Sequence, residues 1–263
     1  MDLGLRNRTA IVCAASRGLG YAVARELAAE GARVMISARG DERLQAAREA
    51  IIAETGADVR AVAADLSTMA GIEAVARAAG EAFGPVDILV NNTGGPPSGP
   101  FESLPWEKWQ QAVDNLLRGT VELTRRVLPA MRERRWGRVL NVTSITVKQP
   151  VDGLMLSNSV RAAVTGFART LATEVARDGV TVNCILPGFT NTERVAQLNV
   201  ATAEREGVSI DEVNARTEAQ IPMRRIGEPK EFGALAAFLV SERASYITGQ
   251  SVAVDGGWIR GLF

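Results

Sequence analysis

Residues 9–14 form an apolar run of strand length, and an amphipathic stretch of helix length follows at 18–30; the same alternation then continues along the chain. Further strand-length runs lie at 33–38, 59–64, 86–91, 138–143, 180–185 and 251–254, with helix-length stretches at 42–54, 69–83, 106–133, 155–177 and 230–240. Most of the runs are rich in Val, Ile and Ala and lack polar alternation, which is the pattern of strands covered on both faces. Helical connections with right-handed crossovers make this an α/β fold, a single doubly wound parallel sheet with helices on both faces. No shift of composition marks a second domain, so residues 1–263 are read as one unit. The exception to the rhythm is 193–220, a polar segment rich in Ala, Glu and Arg. A long insertion at the carboxyl edge of a sheet is where a substrate lid would sit, and its plainer reading is a surface helical excursion. Pro129 is expected to kink or end the long stretch near Met131.

Residue usage narrows the chemistry. Lys plus Arg and Asp plus Glu each count 30, which leaves no net charge to draw the chain to nucleic acid or an anionic membrane. No apolar run approaches the length of a bilayer span, and residues 1–9 lack the charged start and apolar stretch of a signal peptide, so a cytoplasmic protein is expected. Histidine is absent, which excludes Ser-His-Asp and Cys-His mechanisms and His-ligated metal within the chain. Cys13 and Cys184 lie in apolar segments and form neither a zinc cluster nor a redox pair, so no metal is expected. Tyr21, Tyr246, Lys108, Lys148 and Lys230 are then the complete set of Tyr and Lys side chains that could move a proton.

The first strand runs into Cys13-Ala14-Ala15-Ser16-Arg17-Gly18-Leu19-Gly20. Gly18 and Gly20 let the backbone approach a pyrophosphate, and the helix that starts there offers unpaired N–H groups and the positive end of its dipole. Ala14, Ser16 and Leu19 complete the turn. Two glycines at such a place also serve packing; their position after the first strand of an α/β sheet favours the dinucleotide. Ser37, Ala38 and Arg39 stand at the tip of the second strand, where an acid would bind a free ribose 2′-hydroxyl. Arg17 and Arg39 can instead reach a 2′-phosphate, which favours NADP(H) over NAD(H), although each is also readable as a solvated surface cation.

The arrangement resembles the short-chain dehydrogenase/reductase family over nearly the whole chain, and within it a divergent branch like the 3-oxoacyl-(acyl-carrier-protein) reductases. Asp65-Leu66 is similar to the family's adenine-binding pair, and Asn91-Asn92-Thr93-Gly94 to its NNAG motif. Val182-Asn183 followed by Pro187-Gly188 and Thr192 resembles the segment that holds the nicotinamide carboxamide. Arg225-Ile226-Gly227-Glu228-Pro229, the stretch from Ala244 to Gly249, and Asp255-Gly256-Gly257 resemble the family's common C-terminus. The resemblance implies a Rossmann-like fold, an NADP(H) cofactor, a small carbonyl or alcohol substrate, and a homo-oligomer, tetramer or dimer, built through the 106–133 and 155–177 helices.

The family's proton chemistry uses Asn, Ser, and the Tyr and Lys of a YxxxK motif. Ser144 fits the Ser. The Asn position falls on Leu116, one residue beyond Asn115, and such an offset turns a helical side chain by about 100°. The Tyr position holds Ser157 and the Lys position Arg161. Ser157 is shorter than Tyr by a whole ring, so a water would have to fill the gap. Arg161 can still bind ribose hydroxyls but stays protonated. Lys148, four residues after Ser144, is a candidate proton donor if burial or the Arg161 charge lowers its pKa; the commoner reading is a solvated loop cation. Residues 94–101 resemble the corresponding loop of the divergent branch. The basic residues Arg132, Arg134, Arg135 and Arg138 read as a solvated helix end, and Trp106 and Trp109 as staples of the long helix.

The expected function is an NADP(H)-dependent oxidoreductase that reduces a carbonyl or oxidises an alcohol through a non-standard relay of Ser144, water and Lys148. The alternative is a catalytically impaired NADP(H)-binding protein with a sensing or structural role. A non-redox lyase or isomerase has no positive support in the residues.

Overall fold

Alternate residues of the first strand enter different cores. Along β1 (Thr9–Cys13), Ala10 and Val12 pack on one side of the sheet, and Ile11 and Cys13 on the other. The same division recurs in β4 (Ile88–Asn91), where Ile88 and Val90 oppose Leu89. A strand buried on both faces has no polar side to show, which is why the apolar runs are unbroken. The computed structural model describes residues 1–262, so the last residue of the 1–263 unit lies outside the described residues.

The other strands are β2 (Arg33–Ala38), β3 (Val59–Ala63), β5 (Gly137–Val142), β6 (Val180–Pro187) and β7 (Ser251–Val254). All pair in parallel, in the order β3-β2-β1-β4-β5-β6-β7. Helices α1 (Gly18–Ala29), α2 (Asp41–Thr55) and α9 (Pro229–Leu239) cover one face through Val23, Leu27, Leu44, Ile51, Phe232 and Ala236. Helices α3 (Met69–Phe83), α5 (Gly119–Glu133) and α6 (Met155–Val175) cover the other through Ile72, Val75, Leu123, Val127, Ala168 and Leu171. Each such Leu, Ile, Val or Phe contributes about 1.5–3 kcal/mol on burial. The strand order reverses between β1 and β4, and the crevice at their carboxyl ends is where open α/β sheets bind ligands.

The expected 106–133 helix is interrupted. Helix α4 (Trp106–Ala112) leads into a π-helical turn over Val113–Arg118 before α5 begins. At Gly119 the chain passes the Leu66 carbonyl so closely that a Cβ would stand 2.8 Å from its oxygen, and the widened turn delivers the backbone to that point. Pro129 neither ends nor breaks the helix, which runs on to Glu133. Pro129 and Arg125, whose carbonyl loses its helical partner, are both exposed, while Val127 and Met131 are anchored in the core.

Of the arginines at and beyond the end of α5, Arg132, Arg134 and Arg135 are exposed, as a solvated helix end requires, and Arg138 is not. Arg132 pairs with Asp178 at 2.6 Å, Arg134 with Asp87 at 3.1 Å, and Arg135 donates to the Arg177 carbonyl at 2.8 Å. Arg138 is buried under Trp136, 4.3 Å from the ring centroid, and donates to backbone carbonyls. Trp106 is exposed and staples nothing, whereas Trp109 packs on the small cluster of Leu104, Ala112, Leu116, Leu156 and Val160.

The 193–220 excursion is a helical hairpin, α7 (Glu193–Glu206) and α8 (Ile210–Gln220), tied by Asn199 to Asn214 at 2.7 Å. Asn191 donates to the Gly227 carbonyl and Thr190 bridges Gly227, so the excursion leaves and rejoins the sheet edge at one place. Among the described residues, no helix is long and apolar enough to cross a membrane.

Candidate active site

The turn after β1 is shaped for an anion. Arg17 occupies the N-cap of α1 in extended conformation and makes no side-chain cap bond, so no side chain satisfies the first N–H groups of that helix. Gly18 has φ 59°, and Ala14 adopts the left-handed region with φ 48° despite its methyl group. At Gly20 a Cβ would stand 2.8 Å from both the Ala14 carbonyl carbon and Asn92 Nδ2, so the turn, the helix and the end of β4 meet where only hydrogen fits. These features fit a diphosphate: free N–H donors and a backbone surface with no side chain in the way.

The other residues that the sequence assigns to a cofactor lie in the turn and at neighbouring strand ends and loops. Ser16 and Leu19 are half-buried, and Arg17 is exposed. Arg39 is exposed just past β2, near enough to Asp65 to help hold its carboxyl below the usual range, after the larger effect of the Ser67 N–H. That N–H donates to Asp65 Oδ1 at 2.9 Å, and Leu66 is half-buried. The Asn91 amide is spent inside the fold, donating to Asn141 Oδ1 at 2.9 Å and Thr124 Oγ1 at 3.1 Å. Gly94 is exposed at the start of the 94–101 loop. Pro187 ends β6, Gly188 passes against Asp255, and Thr192 caps α7 with its methyl carbon 3.6 Å from where a Cβ on Gly18 would be.

Ser144 follows β5 and accepts a hydrogen bond from the Thr146 N–H at 3.2 Å, which leaves its own O–H free to donate. Ser157 and Arg161 face this region from α6, both buried. Ser157 Oγ lies 3.5 Å from Thr146 Oγ1, a weak contact that places a third hydroxyl beside Ser144. Arg161 donates through Nη1 to the Val142 carbonyl at 2.8 Å. Burial, with a smaller push from the Arg194 charge, lowers its pKa to about 10, so it remains a cation at neutral pH. Leu116 is buried in the small apolar cluster with Leu156 and Val160, and Asn115 is half-buried, its side chain making no hydrogen bond to the described residues. Lys148 is exposed, so the burial invoked for a proton-donating amine is absent. The thiols are inert: burial pushes Cys13 up to about 12 and Cys184 up to about 11.

Two features escaped the sequence. Glu193, at the start of α7, pairs with Arg17 and approaches Arg43 at 3.9 Å, joining the hairpin to the phosphate turn. Arg194 reaches back from the same helical turn and donates to the Pro96 carbonyl at 2.7 Å. Neither pairing has a sequence signal, because the partners lie far apart in the chain.

Known proteins share this frame. Residues 13–259 match the family described as Enoyl-(Acyl carrier protein) reductase. The 3-oxoacyl-[acyl-carrier-protein] reductase FabG of Vibrio cholerae is 35% identical over 255 residues, spanning 97% of this chain and 98% of its own. The D-β-hydroxybutyrate dehydrogenase of Cupriavidus necator is 35% identical over 266 residues, spanning 97% and 99%. The L-sorbose reductase of Gluconobacter frateurii, crystallised with NADPH and L-sorbose, superposes with a TM-score of 0.94 at 34% identity, covering all of both chains. With matches of this extent, the chain belongs to the short-chain dehydrogenase/reductase family of oxidoreductases.

Proposed function

We propose that the chain is an NADP(H)-dependent oxidoreductase that reduces a carbonyl or oxidises an alcohol on a small molecule, with a proton relay that does without the family's Tyr and Lys. The observation that carries this reading is the uncapped start of α1, flanked by Arg17 and Arg39 at the switch point of the sheet. The NADPH complex of the similar L-sorbose reductase supports it. In this reading residues 1–263 work as one dinucleotide-binding domain and the α7–α8 hairpin acts as its lid. Ala14, Ser16, Gly18, Leu19 and Gly20 take the diphosphate, Asp65, Leu66, Asn91 and Gly94 line the adenosine side, and Pro187, Gly188 and Thr192 hold the nicotinamide end. A dimer or tetramer through the neighbouring α4 and α6 is also part of the proposal, supported by exposed Trp106 and Met155 at their first residues.

When bound, the nicotinamide supplies or accepts a hydride. The protein's own part is to hold the substrate oxygen and manage its proton. Ser144 donates a hydrogen bond to that oxygen, its hydroxyl already oriented by the Thr146 N–H. Ser157 and Thr146 hold a water that extends the path, and Lys148, at the exposed end of the same loop, exchanges the proton with solvent. Arg161 holds the ribose hydroxyls in place of a lysine. Nicotinamide absorbance should fall when NADPH meets a responsive ketone, oxoacyl thioester or sugar, and faster than with NADH. Cofactor binding without turnover on any such panel overturns the reading.

The Arg17–Glu193 pair adds an expectation about the cofactor. A 2′-phosphate at Arg17 must compete with this carboxylate, and an exposed pair is worth little. Glu193→Gln should therefore tighten NADPH about two- to fivefold, the scale of one such pair, and leave NADH nearly unchanged. Fluorescence titration with both cofactors reads this, and weaker NADPH binding would place Arg17 elsewhere.

A further inference from the structure

Two guanidiniums at the carboxyl edge of the sheet, those of Arg161 and Arg194, pair with no carboxylate among the described residues. Arg161 is buried on α6, and the only hydrogen bond of its guanidinium to the described residues is to the Val142 carbonyl. Arg194 comes from the opposite side, on α7, with its guanidinium lying where a Cβ on Gly95 would come within 2.6 Å of Nε. Its partner is again a neutral carbonyl, that of Pro96. Burial, with a smaller push from the Arg194 charge, lowers the Arg161 pKa, and desolvation lowers that of Arg194. The nearest acid in sequence, Glu193, is turned away to Arg17 and Arg43. Like charges brought together in a partly desolvated place, each bonded only to backbone, lack a counter-ion that the protein does not supply.

The 94–101 loop fixes this arrangement. At one end Pro96 holds Arg194; at the other the Gly99 N–H donates to the Gly153 carbonyl at 2.7 Å, and Gly99 bridges Leu154 at the start of α6. The loop thus straps the hairpin to the helix that carries Ser157 and Arg161. Residues 94 and 95 are both glycine, so no side chain of theirs fills the space beside Arg194.

We propose that Arg161 and Arg194 form a receptor for a carboxylate on the substrate, so that the reacting carbonyl or alcohol belongs to an oxo or hydroxy acid. This rests on the reading of the crevice as a reductase site and names the substrate class it takes. Arg194 is the specificity-determining member, because Arg161 also serves the ribose. The forked guanidinium suits a two-oxygen anion, and its approach from the hairpin makes substrate binding and closure of the hairpin one event. The cofactor's diphosphate is the other anion nearby, and the test separates the two.

Calorimetric titration of the full chain, free and saturated with NADP+, with hexanoate and with hexanamide reads the receptor without requiring turnover. The acid should bind about tenfold or more tightly than the amide, the size of a charge-assisted contact. Arg194→Met should bring the two within about twofold of each other, Arg194→Lys should fall between, and both variants should keep the NADPH affinity and melting temperature of the parent. Equal binding of acid and amide, or no binding of either, overturns the proposal. Loss of NADPH affinity in Arg194→Met with the acid preference intact assigns Arg194 to the diphosphate and overturns it as well. A parent chain that binds no NADPH but prefers the acid breaks the reductase reading and leaves the receptor standing.

Discussion

Gly20→Ala is expected to abolish useful cofactor binding and to lower stability by about 2–3 kcal/mol, the cost of overpacking a site that cannot give way. The added methyl carbon would lie 2.8 Å from the Ala14 carbonyl carbon and from Asn92 Nδ2, and closer still to the Ala14 oxygen. Two of these atoms are backbone, so no rotamer change relieves the clash. The turn must move away from the helix, and with it the N–H groups that would face the diphosphate. Misplacement on the scale of 1 Å costs about a hundredfold in rate, so turnover at low NADPH should fall by that order. Gly80→Ala supplies the control. It lies in α3 with nothing near a new Cβ, and the same substitution there should stabilise the protein by about 1 kcal/mol through helix propensity. Thermal melting and NADPH titration of both variants check the pair. A Gly20→Ala protein with parental affinity would mean that the turn is not the diphosphate site.

The contrast between these glycines shows what a sequence can reveal. The sheet was legible because burying both faces leaves long Val and Ile runs, and β2, α3 and β7 have the boundaries that their residues suggest. The glycine turn was legible because its constraint is local: strand end, tight turn and helix start lie within eight residues. The π-helical turn at Val113–Arg118 was not, because its cause is a carbonyl at Leu66 that approaches Gly119 only in the folded chain. Arg138 reads as one more cation in a basic run, yet β5 carries it inside, where Trp136 and backbone carbonyls accept it. Its neighbours Arg132, Arg134 and Arg135 are tied to Asp178, Asp87 and the Arg177 carbonyl by the same long-range packing.

The candidate site divides in the same way. Ser144, Ser157 and Arg161 could be placed by counting from β5 into α6, since a regular helix keeps register. Arg194 could not, because it acts on the site from a hairpin whose orientation depends on Asn199, Asn214 and the closure at Gly227. No sequence signal marks Thr146, since nothing about a Thr two residues after a Ser points to a contact with a hydroxyl eleven residues further on. Lys148 stands out in the sequence only because lysines are few, and its exposure leaves it a place only at the solvent end of a relay.

Ser144→Ala separates an enzyme from a protein that merely keeps the cofactor. If Ser144 donates to the substrate oxygen as charge develops on it, the variant should lose about 10²–10³ in kcat, the cost of removing one such donor. The damage should be confined to turnover. The hydroxyl's one recorded contact is acceptance from the Thr146 N–H, a cap-like bond worth about 1 kcal/mol, so the melting temperature should fall only slightly. NADPH affinity should not change, because in the proposed site the hydroxyl bonds the substrate oxygen and the diphosphate is held by the turn at Gly18 and Gly20. In the proposed relay, where Ser157 and Arg161 stand in for the family's Tyr and Lys, this hydroxyl carries more of the work on the substrate oxygen. In a protein that holds NADP(H) for sensing or structure, Ser144→Ala would instead leave a negligible parental rate unchanged. Pre-steady-state measurement of nicotinamide oxidation decides between them: a hydride-transfer step slowed by at least about a hundredfold at constant affinity is what an oxyanion donor requires.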